Sequence, residues 1–151
     1  MKYSYSYDTL LGSITIVTED ECLIEIIYGR KNIGVLKETT LIKEIKKQID
    51  EYLSGNRKEF NVPIKMIGTD FQIKVWNELI KIKYGESICY QELAERVKNK
   101  NYARAVGLAN NKNPIPIIVP CHRVIGKRGN LVGYAGGLDI KDKLLAIENK
   151  E

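Results

Sequence analysis

The hydrophobic period of the chain changes near residue 40, and that change limits the folds open to it. Before it, Tyr3, Tyr5 and Tyr7 alternate with Ser4 and Ser6, and Ile14, Ile16 and residues 23–28 keep the same two-residue spacing. Alternating β-branched and aromatic residues suit half-buried strands, and the polar step Glu19-Asp20-Glu21 supplies a turn. An antiparallel meander of three strands is predicted. After residue 40, Leu41, Ile45, Ile49, Tyr52 and Leu53 recur at helical spacing, and Ser54-Gly55-Asn56 ends the run. Strands grouped ahead of helices, instead of alternating with them, indicate an α+β protein that opens on a small sheet-plus-helix domain.

Asn61-Val62-Pro63 separates a charged segment from a new helical pattern, giving domains 1–62 and 63–151. Thr69-Asp70-Phe71-Gln72 is a capping box, and Phe71, Val75, Trp76, Leu79, Ile80 and Ile82 follow on a helix that Tyr84-Gly85 should close. After an extended piece at 87–89, helices over 90–97 and 103–111 are joined by the polar linker 98–102. The second domain therefore reads as mainly helical and winged helix-turn-helix-like. Ala103, Ala105, Gly107 and Ala109 let its second short helix come close to whatever it faces, a partner or another helix of the core. A rigid proline-braced strand is expected over 113–124, a strand at 123–126, a hairpin-like turn at 127–130, a loop at 133–137 and a last helix over 139–150 bearing Leu144, Leu145 and Ile147.

Lysine and arginine total 24 against 19 acidic residues, a net charge of +5, and the excess gathers between residues 68 and 128. Such a distribution fits a nucleic-acid partner. The three cysteines, Cys22, Cys89 and Cys121, are odd in number and widely spaced, which argues against a disulfide scaffold and for a reducing, cytoplasmic setting. No apolar stretch has signal-peptide or membrane-spanning character, so no membrane partner is expected. The first domain has no histidine and only Cys22, so no metal is expected there.

The chemistry concentrates in Asn113-Pro114-Ile115-Pro116-Ile117-Ile118-Val119-Pro120-Cys121-His122-Arg123-Val124, where the single histidine directly follows a cysteine. A lone cysteine is ordinarily an inert buried hydrophobe; adjacent basic groups favour a reactive thiolate. A cysteine hydrolase would need a separate, distant histidine, and the chain has none.

Gly68-Thr69-Asp70-Phe71-Gln72 with Val75-Trp76, Tyr84-Gly85-Glu86, Tyr90, Arg104-Ala105-Val106-Gly107, Asn113-Pro114, Pro120-Cys121-His122-Arg123-Val124, Gly133-Tyr134, Gly136-Gly137 and Lys143-Leu144-Leu145 stand in the order and spacing of one family. Over residues 66–148 the chain resembles the 6-O-alkylguanine-DNA alkyltransferases. The resemblance implies DNA repair by one irreversible transfer, without a cofactor, of a methyl or other alkyl group from the guanine 6-oxygen, with the thymine 4-oxygen as a further candidate. The acceptor would be Cys121 as a thiolate, with His122 as base acting through a water and Glu148 holding the histidine. Tyr90 would protonate the departing base at N3, and the Ala135 amide would face the 6-oxygen. Tyr134 would wall the pocket, and the carbonyls of Cys121 and Val124 would read the exocyclic amine. Arg104 would fill the space left by the flipped nucleotide, with Ala103, Ala105 and Gly107 closing on the minor groove, Arg123 also on the DNA side, and Asn113 bracing the turn before the cysteine. Asn110 and Asn111 replace bulkier or charged residues of other members. The implied partner is double-stranded DNA containing alkylated guanine, bound by a monomer, with cooperative assembly along DNA left open. The competing reading is a lesion-binding protein that flips alkylguanine without repairing it; the presence of Cys121 argues against it.

Overall fold

The structure is a computed structural model and describes residues 1–126, 134 and 136–149. The chain divides into two compact units, Met1–Ile67 and Gly68–Glu151. The division falls after residue 67, not after 62, because the segment containing Pro63 is bound into the first unit. Leu23 N donates to Pro63 O at 2.8 Å and Lys65 N donates to Leu23 O at 2.9 Å. Pro63 supplies only its carbonyl to this edge contact, a position a proline tolerates.

In the first unit, β1 (Lys2–Thr9), β2 (Gly12–Glu19) and β3 (Cys22–Tyr28) form the antiparallel meander. Asp20 and Glu21 turn from β2 into β3 with φ of 53° and 60°, the handedness that matches strand twist in a two-residue hairpin loop. A short β4 (Val35–Leu36) adds parallel to β1, so the sheet order is β3-β2-β1-β4. Two residues are too few to show a period, which is why a three-stranded sheet was all the pattern could suggest. The central β2 is buried along Ile14, Thr15, Ile16, Val17 and Thr18. The Thr15 hydroxyl donates to Gly29 O at 2.7 Å, which makes its burial affordable. Helix α1 (Thr40–Leu53), capped by the Thr39 side chain, packs against this sheet and buries Ile42, Ile45, Ile49, Tyr52 and Leu53.

The second unit starts with α2 (Asp70–Ile80), whose capping box is complete: Gln72 N donates to Thr69 Oγ1 at 3.1 Å and Thr69 N to Gln72 Oε1 at 3.0 Å. The helix stops at Ile80, short of Tyr84-Gly85, and the chain folds into turns that bury Ile82. Next come β5 (Ile88–Cys89), α3 (Tyr90–Val97), a 3-10 turn at Lys100–Tyr102 and α4 (Ala103–Asn111). Helices α2, α3 and α4 pack on one another around Val75, Leu79, Leu93, Ala94, Val97 and Val106. Trp76 Nε1 donates to Ala109 O at 2.9 Å and ties α2 to α4. A 3-10 turn at Cys121–Arg123 leads into β6 (Val124–Ile125), parallel to β5, and α5 (Leu138–Glu148) closes the unit. The turn expected at 127–130 lies outside the described residues. No helix among the described residues is long and apolar enough to cross a membrane.

Residues 113–120 are not the extended strand expected. Prolines 114, 116 and 120 cannot donate to a ladder, and the backbone closes on itself through Val119 N to Ile115 O (2.9 Å), Ile118 N to Pro116 O (2.9 Å) and Cys121 N to Val119 O (2.8 Å). Ile117 is held at φ 75°, a strained value for a β-branched residue. Asn113 sustains the strain, accepting from Ile115 N at 3.0 Å and donating to Val119 O at 2.8 Å.

Gly68 enters α2 against the Trp76 ring, where an added Cβ would lie 2.6 Å from a ring carbon. Gly68→Ala is expected to cost about 1–3 kcal/mol by overpacking, read as a lowered denaturation midpoint at unchanged slope.

Candidate active site

The buried face of α5 carries Lys141, Leu144 and Glu148, spaced so that all three point inward. Glu148 is the hub. Its Oε1 accepts from Arg123 Nε at 2.8 Å and from Gly85 N at 3.1 Å, and its Oε2 accepts from Arg123 Nη2 at 2.9 Å. His122 Nε2 lies 2.7 Å from the same Oε2. Arg123 Nη1 donates to Ile82 O at 2.6 Å, and its guanidinium sits over the Tyr84 ring. The forked guanidinium neutralises the carboxylate, so His122 has no need to be charged. Burial pushes the His122 pKa below its ordinary value; Glu148 pulls it up, while Arg123 and Lys141 push it down further. Burial thus favours the neutral imidazole, and in that form an Nε2–H donated to Glu148 would leave Nδ1 as the basic nitrogen.

This arrangement corrects the expected role of Arg123. Its side chain is buried on Glu148 and Ile82, so it organises the site from within and is not presented to a DNA backbone. The pairing outcompetes a surface role because a buried carboxylate without its cation would be far more costly than one fewer phosphate contact.

Cys121 is buried beside this network, and burial pushes its thiol up to about 11. Hydrogen bonds from the Asn113 and Tyr134 side chains and the charge of Lys141 act the other way. Burial therefore works against the thiolate expected from the neighbours in sequence, and Asn113, Lys141 and Tyr134 work for it. Lys141 was missed in the sequence because it interrupts an apolar stripe where a lysine reads as a solvated residue. It is 0% exposed, its pKa is lowered to about 8 by burial, and the Cys121 charge is what would raise it again.

Helix α3 begins at Tyr90, half-buried, with its hydroxyl pKa raised by burial and by Cys121 and lowered by a hydrogen bond with Asn110. Gly107 faces that ring, where an added Cβ would make ordinary contact at 3.6 Å, so glycine is not sterically required there. Arg104 and Ala105 lie on the exposed face of α4, and Ala103 is partly exposed. Val124 is fully buried in β6, and Tyr134 is half-buried. Asn113 braces the nucleophile turn as described above; Ala135 falls outside the described residues.

Two variants test the electrostatics. Arg123→Leu leaves the Glu148 charge to act on His122 alone, so the single imidazole resonance should titrate at higher pH than in the wild type. In the wild type the lowered His122 value means that the unfolded chain takes up the proton first, so stability present above pH ~6.5 should fall as pH drops towards the folded value. Lys141→Met removes a cation that burial disfavours, so the lowered Lys141 titration should vanish from the pH dependence of stability. The same change should slow alkylation of Cys121 by a small reagent, because the thiolate loses its nearby cation.

Comparison with known proteins places this geometry. Residues 1–66 match the ribonuclease-like domain and residues 70–150 the DNA binding domain of 6-O-methylguanine DNA methyltransferase. A methylated-DNA--protein-cysteine methyltransferase of Methanosarcina acetivorans is 43% identical over 97% of both chains. The constitutive enzyme of that name from Bacillus subtilis is 41% identical over 98% of this chain and 96% of its own. Among solved structures, Mycobacterium tuberculosis OGT in complex with DNA superimposes with a TM-score of 0.90 at 38% identity, covering 97% of this chain and 92% of that one. With both halves matched in order and a buried Cys-His-Glu series in the second, the chain belongs to the 6-O-methylguanine DNA methyltransferase family.

Proposed function

We propose that this protein repairs DNA by moving the alkyl group of a 6-O-alkylated guanine onto Cys121, once per molecule. The observation that carries the reading is the enclosed series Cys121, His122, Glu148, in which a buried cysteine is followed by an imidazole held by a buried carboxylate. A thiol with a pKa near 11 is a poor nucleophile at neutral pH, so the reaction needs a base at the moment of attack. His122 takes the thiol proton, through a water, as the Cys121 sulfur forms its bond to the alkyl carbon. The carbon–oxygen bond breaks with its electron pair going to the guanine oxygen. Tyr90 donates a proton to the departing ring at N3, and the charge of Lys141 offsets the sulfur's charge while it exists. The product thioether has no route back to a thiol in this site, which makes the protein its own co-substrate.

The target base is inaccessible within a duplex, so the nucleotide must leave the stack. Arg104 on the exposed face of α4 is suited to occupy the vacated space, and the adjoining Lys98, Lys100 and Lys112 supply phosphate attraction. Two relations support DNA as the partner: the family match of residues 70–150 to a DNA binding domain and the likeness to a structure in complex with DNA. The free state of Cys22, Cys89 and Cys121 suits the cytoplasmic setting expected of the sequence.

Incubation with a duplex oligonucleotide carrying 6-O-methylguanine should add one methyl mass to the intact protein, on the peptide containing Cys121. Cys121→Ala should abolish the mass shift and retain DNA binding. Arg104→Ala should slow transfer from the duplex by about tenfold or more while sparing transfer from the free alkylated base. Repeated turnover, or an unmodified Cys121 after binding, would overturn the reading, the second outcome in favour of a lesion-binding protein.

A further inference from the structure

Leu108 is 62% exposed, more than any other large apolar side chain among the described residues of the second unit. It stands four residues after Arg104 on α4, so the two share a helix face, about 6 Å apart along the axis. Lys112, exposed, follows at the far end of that face. A single exposed leucine ordinarily needs no explanation; the setting of this one does. No acidic residue occurs between Glu95 and Asp139, while Lys98, Lys100, Arg104 and Lys112 are all exposed. A second copy of this chain would bring like charges onto Leu108, whereas a polyanion with apolar surface between its charges suits it.

We propose that Leu108 packs against the deoxyribose edge of the minor groove and makes the protein select DNA over RNA around the lesion. The proposal rests on the alkyl-transfer reading, in which α4 closes on the minor groove and Arg104 takes the place of the flipped nucleotide. Leu108, one turn behind Arg104 on the same face, then meets the nucleotides beside the gap. Base edges in that groove offer hydrogen-bonding atoms, mostly acceptors common to A·T and T·A pairs, and a leucine can bond to none of them. What it can cover is the C–H surface of the sugars, which is the same in every sequence. RNA displays 2′-hydroxyls along this groove. A hydroxyl pressed onto Leu108 would lose water and gain no partner, since the side chain can neither donate nor accept.

The test measures single-turnover methyl transfer from duplexes that hold 6-O-methylguanine on deoxyribose and differ in the flanking sugars of both strands. These are deoxyribose, ribose, or 2′-deoxy-2′-fluororibose, which keeps the ribose pucker without its hydroxyl. Wild type should react about tenfold or more slowly with the ribose duplex than with the fluoro duplex. Leu108→Asn, of similar shape but able to bond a hydroxyl, should bring these two rates within about threefold, and Leu108→Met should keep the wild-type ratio. Comparing ribose with fluoro sugars cancels losses from duplex shape and from any general weakening of α4. Equal wild-type rates with both, a ratio that Leu108→Asn leaves unchanged, or a ratio lost equally with methionine overturns the assignment alone. So does Leu108→Asn protein that keeps the ratio but changes oligomeric state, which gives the leucine to a contact between copies. Wild-type protein inert towards every duplex overturns the alkyl-transfer reading and the assignment with it.

Discussion

The second unit depends on one buried ion pair. Arg123 and Glu148 meet through two hydrogen bonds, and each also holds a separate piece of backbone: Arg123 the Ile82 carbonyl, Glu148 the Gly85 amide. The end of α5, the turn after α2 and the turn carrying Cys121 are thereby fixed to one another. Burying two charges is costly, and the pair returns that cost only because every remaining valence of the carboxylate is used. The last valence goes to His122. Structural and chemical demands therefore converge on one carboxylate, and a substitution there removes a fold contact and a histidine partner together.

The surroundings of Cys121 oppose one another in the same economical way. Enclosure raises the thiol pKa, while Lys141, Asn113 and Tyr134 favour the thiolate. A cysteine whose enclosure favours the thiol is protected from oxidation and stray electrophiles, since the thiolate is the reactive form. The arrangement suits a residue that can be used once. The same opposition acts on the fully buried Lys141: burial disfavours its cation, and negative charge on Cys121 favours it.

Much of this was legible in the residues. The change of hydrophobic period separated the sheet from the helices, and the Thr69–Gln72 box marked the start of α2 to the residue. The motif series led to Cys121, His122 and Glu148, of which the structure joins His122 to Glu148. What escaped notice depended on partners far away in sequence. The fourth strand is two residues long and owes its existence to β1. Arg123 resembled a DNA contact until Glu148, 25 positions on, was seen to claim it. Prolines 114, 116 and 120 suggested stiffness, which is correct, and extension, which is not, because tight turns satisfy the same restriction on φ. Lys141 carried no local signal at all; only the face of α5 that turns inward identifies it.

The bond from Trp76 Nε1 to Ala109 O places the chain's single tryptophan one residue from Asn110 on α4. Indole emission depends on that hydrogen bond and on the packing of the ring against α4. The protein therefore carries an intrinsic optical probe packed against α4, the helix that bears Arg104. Any displacement of α4 that stretches this bond will alter the fluorescence of the whole molecule, so helix movement during base capture can be followed in real time without attaching a label.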